Sequence, residues 1–158
     1  IMVESAPARG SCFTLMLLLP PATLPLAELT EQPEVRLQGH ILVVEDHPVN
    51  QKVLAHQLHE MGLQYTIASS GPQALDLLAK ADFDLVLMDC QMPGMDGYET
   101  TQRIRQLPAN ARHIPVIALT ANAGSDFREV CIAAGGNDYL SKPYTEAALT
   151  ALLPAWQN

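Results

Sequence analysis

The chain has 158 residues, 48% of them hydrophobic, and 17 acidic against 9 basic residues give it a net charge of −8. Such a chain suffices for one globular domain with a tail, and the composition excludes a disordered polar polymer. The acidic balance excludes a nucleic-acid surface, which needs a basic footprint, and leaves a cation site or a plainly solvated surface as readings of the acids.

Residues 1–38 stand apart from the rest. Pro7, Pro20, Pro21, Pro25 and Pro33 interrupt them, and only Ser11–Leu19 has the apolar content of a strand. The apolar stretch Phe13–Pro20 is too short to span a bilayer and lacks a basic flank, so neither a membrane span nor a signal peptide is expected. The polar, Pro-containing stretch that follows reads as a linker over 21–38. A domain is expected over 39–158.

From His40 the pattern alternates between short apolar runs and amphipathic stretches. Ile41–Glu45 reads as a strand. Pro48 is placed for the first turn of a helix carrying Val49, Val53, Leu54, Leu58 and Met61, which Gly62 ends. Tyr65–Ala68 is a weaker second strand, and Gly71-Pro72 opens a helix with Ala74, Leu75, Leu77 and Leu78. Leu85–Asp89 is an unbroken apolar run ending in a carboxylate, as expected of a parallel strand covered on both faces. A helix is expected over Gly97–Leu107, stopped by Pro108, and a fourth strand over Pro115–Thr120. Ser125 is placed to cap a helix bearing Phe127, Val130, Cys131 and Ala134, with Gly135-Gly136 at its end. Asp138–Ser141 and Glu146–Trp156 complete the series as a strand and a helix. Five such units imply an α/β fold: a three-layer, doubly wound, five-stranded parallel sheet with helices on both faces.

Such a sheet collects polar residues on one edge. Glu45-Asp46, Asp89, Thr120 and Lys142 all stand at or just past strand ends. With the strands ordered 2-1-3-4-5, the switch point lies between the first and third strands, and the three carboxylates meet there. Clustered carboxylates repel one another unless a cation sits among them, and hard oxygen donors suit Mg²⁺. Carboxylates, Mg²⁺, a lysine and a hydroxyl together make a site for a phosphoryl group, with a carboxylate as nucleophile. Each residue also has a plainer use: Glu45 and Asp46 as helix caps, Thr120 as a strand end, Tyr139 as a core-edge aromatic. The three cysteines (Cys12, Cys90, Cys131) show no CxxC spacing, so they give neither a disulfide framework nor a zinc site. Reduced cytosolic thiols are the simplest reading.

Four ordered segments carry a resemblance. Ile-Leu-Val-Val-Glu45-Asp46, Leu-Met-Asp89-Cys-Gln-Met-Pro-Gly-Met-Asp-Gly, Pro-Val-Ile-Ala-Leu-Thr120-Ala-Asn-Ala and Asp-Tyr139-Leu-Ser-Lys142-Pro143 together resemble the receiver domain of two-component response regulators, a flavodoxin-like fold. The resemblance implies that Asp89 accepts a phosphoryl group from phosphohistidine. It implies that Glu45, Asp46, Asp89 and the Gln91 carbonyl hold Mg²⁺, and that Lys142 and Thr120 bind the phosphoryl oxygens. Thr120 and Tyr139 would form the switch pair, and Pro143 would follow a cis peptide bond. Gln91 and Asn122, two residues past Asp89 and Thr120, would set the lifetime of the acyl phosphate. The family commonly has a bulky residue where Gly136 stands.

Residues 4–20, with their Gly-Ser-x-Phe step and apolar run to Leu-Pro, resemble the last strand of a histidine-kinase ATPase domain. That implies a piece of a hybrid sensor histidine kinase, with residues 1–20 the end of its ATPase domain. The orphaned strand would be disordered or would add to a neighbouring sheet edge. The chain itself lacks the phosphodonor histidine region and the ATP-binding motifs, so kinase activity belongs to the parent. The implied partners are a histidine kinase core or a histidine phosphotransfer domain, without nucleic acid or direct membrane contact, and pairing with a second copy stays open. A cytoplasmic location is implied, with an inner-membrane anchor in the parent open. Two other readings remain: a degenerate receiver acting only as an interaction module, and a phosphatase of the haloacid dehalogenase kind. The latter usually needs a second acid where Gln91 stands.

Overall fold

The computed structural model describes residues 2–6, 10–14, 16, 39–121 and 124–153, and the chain divides into two compact units, 1–34 and 35–158. In the first unit, β1 (Met2–Ala6) pairs antiparallel with β2 (Gly10–Thr14), Val3 opposite Phe13 and Ser5 opposite Ser11. The sequence reading expected one orphaned strand over Ser11–Leu19. Among the described residues the strand runs over Gly10–Thr14 and has a partner, because Met2–Ala6 offers an uninterrupted extended run before Pro7. Residues 15 and 17–38, including the expected linker, lie outside the described residues.

The second unit follows the expected alternation. Its elements are β3 (His40–Val44), α1 (Pro48–Glu60), β4 (Gln64–Ala68), α2 (Gly71–Leu78), β5 (Leu85–Asp89), α3 (Gly97–Ile104), β6 (Val116–Thr120), α4 (Ser125–Ala133), β7 (Asp138–Ser141) and α5 (Glu146–Leu152). The strands form one parallel sheet in the order β4-β3-β5-β6-β7, which is the expected 2-1-3-4-5 counted from β3.

Period-two alternation splits the core between the two faces of the sheet. Ile41, Val43, Leu87, Ile117 and Leu119 pack with Leu54 and Leu58 of α1 and Leu149 of α5. Leu42, Val44, Val86, Met88 and Val116 pack with Ala74 and Leu78 of α2 and Ile104 of α3. This double coverage explains why the central strands lack polar alternation.

Local differences from the sequence reading have local causes. In α1, Leu54 and Leu58 are buried, but Val49 and Val53 remain 60% and 48% exposed despite their helical spacing. Helix α3 stops at Ile104, short of the expected Leu107, and the chain tightens through Gln106 N–H to Arg103 O and Leu107 N–H to Ile104 O. A turn of 3₁₀ helix, Ala109–His113, follows. The cap of α4 is Gly124, without a side-chain hydrogen bond, rather than Ser125. Helix α5 is described to Leu152, and residues 154–158 lie outside the described set. The small residue at Gly136 fits its place: its N–H donates to Cys131 O at 2.9 Å, the same distance at which a Cβ there would meet that oxygen. The turn closes α4 and delivers β7 to its ladder intact.

Candidate phosphoryl-accepting site

Strand register alone brings the polar residues to one level. Val44 lies opposite Met88, so Glu45 and Asp89 follow on adjacent strands as the next rung. Asp89 lies opposite Leu119, which puts Thr120 one step beyond, and Thr120 lies opposite Ser141, the residue before Lys142.

The side chains complete the cluster. Glu45, Asp46 and Asp89 each offer a carboxylate oxygen, and these oxygens lie within 4.8 Å of one another. Lys142 reaches in from the end of β7, its Nζ 2.8 Å from Glu45 Oε2 and 3.0 Å from Asp89 Oδ2. The peptide bond from Lys142 to Pro143 is cis, as expected. Glu45 is fully buried and Asp89 is 5% exposed, whereas Asp46 is only half-buried.

Burial disfavours the charge on Glu45, but hydrogen bonds from Lys142, Asn50 and the His47 N–H outweigh it and hold the carboxyl below its ordinary range. Burial wins at Asp89. Its carboxyl is pushed up despite the Gln91 N–H and Lys142, and the charge of Glu45 adds to the rise. Lys142 loses solvation, yet its two carboxylate partners raise its pKa, so the ammonium stays charged. One lysine thus serves two buried carboxylates with a third beside them. That leaves a surplus of negative charge on oxygen donors, and the residues fit a small hard cation.

Several supporting residues were missed in the sequence. Asn50 Nδ2 and His47 N–H donate to Glu45 Oε1 at 2.9 and 3.2 Å, and Gln51 Nε2 donates to the Glu45 carbonyl at 2.7 Å. The available signal was position: all three lie in the cap and first turn of α1, directly after Glu45. Gln91 N–H donates to Asp89 Oδ1 at 3.1 Å, while the Gln91 side chain is exposed. Thr120 is buried, and its carbonyl accepts from Lys142 N–H at 2.6 Å. Tyr139 is half-buried against Cys90, Ala118 and Cys131, outside the carboxylate cluster. Asn122 lies outside the described residues.

The family model of the response regulator receiver domain matches residues 41–154, and the chain belongs to that family. Members take part in two-component signal transduction by accepting a phosphoryl group on an aspartate. Among curated relatives, the sensor histidine kinase RcsC of Salmonella typhi is 46% identical over 116 residues, 73% of this chain and 12% of the relative. The chain thus spans about an eighth of that relative's length. Among solved structures, the receiver domain of the sensor histidine kinase PA1611 from Pseudomonas aeruginosa PAO1 is 44% identical, with TM-score 0.69, covering 76% of this chain and 98% of that one. Its crystal structure has a magnesium ion coordinated in the active site cleft. The receiver domain of the Saccharomyces cerevisiae response regulator Ssk1, solved with the histidine phosphotransfer protein Ypd1, is 28% identical with TM-score 0.68, covering 75% of this chain and 88% of that one.

Proposed function

We propose that this chain is the receiver of a hybrid sensor histidine kinase, and that Asp89 takes a phosphoryl group from a phosphohistidine in a Mg²⁺-dependent step. The observation that carries the proposal is the buried constellation of Glu45, Asp46, Asp89 and Lys142 at one sheet edge. A carboxylate oxygen of Asp89 attacks phosphorus in line. The P–O bond forms as the donor's P–N bond breaks, and that bond's electron pair returns to the imidazole nitrogen. Lys142 neutralises the phosphoryl oxygens, and Thr120 donates a hydrogen bond to the bound group. Bound Mg²⁺ would be held by Glu45, Asp46, Asp89 and the Gln91 carbonyl, and would supply further charge neutralisation. Glu45, locked by Asn50, His47 and Lys142, keeps its oxygens in place for this role.

The donor is a histidine kinase core or a histidine phosphotransfer domain. A groove of about 380 Å³ beside the site, lined by Asn50, Val53, Gln57, Lys142, Pro143 and Tyr144, supports a docking face there. The exposed Val49 and Val53 continue that face along α1. Thr120 and Tyr139 report the state of Asp89 to the surface, and water returns the acyl phosphate to carboxylate, with Gln91 and Asn122 setting the rate. A cytoplasmic location belongs to the same proposal.

Incubation with acetyl phosphate and Mg²⁺, read by intact mass, tests the core of this reading. The expected result is a gain of one phosphoryl group that disappears in Asp89→Asn and with a chelator. No gain in the parent chain favours a pure interaction module, and turnover of a small phosphate ester favours a phosphatase. Decay of the phosphorylated species is expected to change in Gln91 and Asn122 variants, and decay rates unchanged from the unsubstituted chain in both variants sink their assignment.

A further inference from the structure

A second cluster lies directly against the phosphoacceptor segment and has no part in the transfer just described. Cys90, next in the chain after Asp89, is 3% exposed, and Cys131 of α4 is 2% exposed; both are free thiols. With Ala118 of β6 they form a small core of their own, against which Tyr98 and Tyr139 pack. Tyr98 is the second residue of α3, and it is half-buried against this pair of cysteines.

The start of α3 is tied to Asp89. Gly97 N–H donates to Cys90 O at 3.2 Å. A Cβ at Gly97 would overlap the Asp89 carbonyl oxygen and stand 2.8 Å from Cys90 Cα, so only glycine allows this approach. The chain from Asp89 to Tyr98 therefore closes on itself, and a shift of the Asp89–Cys90 backbone carries Gly97 and Tyr98 with it. Tyr98 then meets α4 through Cys131. A closed, densely packed cluster passes on such a shift by repacking rather than by yielding.

We propose that Tyr98, packed against the cluster of Cys90 and Cys131, is a positioning residue whose hydroxyl couples the occupancy of Asp89 to the packing of α4. This rests on the reading of Asp89 as phosphoacceptor. The route runs through α3 and reaches the cluster from the side of Tyr98, whereas Tyr139 of the β6–β7 pair packs on the same cluster from β7.

The test uses the full chain with Mg²⁺, with and without beryllium fluoride as a non-covalent phosphoryl mimic. The readout is the N-ethylmaleimide alkylation rate of Cys131, followed at the peptide level by mass. In the parent chain the loaded and free states are expected to differ by about threefold or more, the scale of one hydroxyl hydrogen bond. In Tyr98→Phe, which keeps the ring, that ratio is expected to fall close to one while acetyl phosphate uptake is unchanged. A merely structural role for the hydroxyl would shift both states together and leave the ratio intact, which overturns the proposal. Hydrogen exchange of the α4 amides in the same samples gives the comparison without thiol chemistry. A parent chain that takes no phosphoryl group overturns the phosphoacceptor reading and this coupling with it. Phosphorylation with no difference at Cys131 or α4 overturns the coupling alone.

Discussion

At the scale of single residues, the site is defined by how one cation is shared. Lys142 satisfies one oxygen each of Glu45 and Asp89, and Asp46 remains beside them. Burial raises the Asp89 carboxyl, so a proton competes with a metal ion for it. A proton on Asp89 removes one ligand charge, so Mg²⁺ affinity is expected to rise with pH until Asp89 is fully ionised. On the proposed function Mg²⁺ would bind the folded state, and ten times its Kd would then add about 1.4 kcal/mol of stability, a few degrees in Tm. Thermal unfolding with and without Mg²⁺ is expected to show a larger shift at about pH 8 than at about pH 5, and little shift at either pH in Asp89→Asn. Equal shifts at both pH values would sink the linkage. The carboxylates and the lysine were legible because they are spaced by strand ends, and the cis proline through the resemblance to the receiver family. The ring of donors around Glu45 was not, because Asn50 and Gln51 look like any polar residues in a helix's first turn until the helix is docked.

Among the elements, α3 is tied to distant parts of the chain through the residue that ends it. Arg105, at its C-terminal end, donates through Nε to Gly135 O at 2.8 Å and through one terminal nitrogen to Arg112 O and Ile114 O at 3.0 and 2.8 Å. Its other terminal nitrogen donates to Asn137 Oδ1 at 2.8 Å, and that oxygen also accepts from Val116 N–H at 2.9 Å. One planar guanidinium thus joins α3 to the segment leading into β6 and to the turn between α4 and β7. Removing it leaves several carbonyl oxygens to be shared with water. Arg105→Ala is expected to cost about 2 kcal/mol in urea unfolding, and Arg105→Lys to recover only part, since an ammonium cannot span the same fork. Full recovery by lysine would mean that charge, not geometry, does the work. Strands and helices were legible because their periodicities differ, and the alternating core faces follow from that. The staple was invisible, since Arg105 and its acceptors are separated in sequence and only the tight turn at Gly135, with φ +95°, brings its carbonyl to the guanidinium. The exposure of Val49 and Val53 was equally illegible, because helical spacing does not say which apolar side chains meet a neighbour.

For the whole molecule, the division into two units makes a definite claim about what the receiver needs. Every hydrogen bond and ion pair described for the site joins residues between Glu45 and Lys142. The five-stranded sheet begins at His40, and Gly39 already contributes, accepting from Gln64 N–H at 3.2 Å. The β1–β2 ladder belongs to a separate two-stranded sheet. A two-stranded ladder is marginally stable in water by itself, so it is a weak source of stability for a larger domain. A chain starting at Gly39 is therefore expected to fold cooperatively. It should melt within error of the full chain by circular dichroism and take up phosphoryl groups from acetyl phosphate at the same rate. A lower midpoint with an unchanged rate would assign residues 1–38 a share in the receiver's stability. A changed rate with an unchanged midpoint would assign them a role in access to Asp89. Only equality in both measurements fits a receiver that begins at Gly39 and carries its whole site within itself.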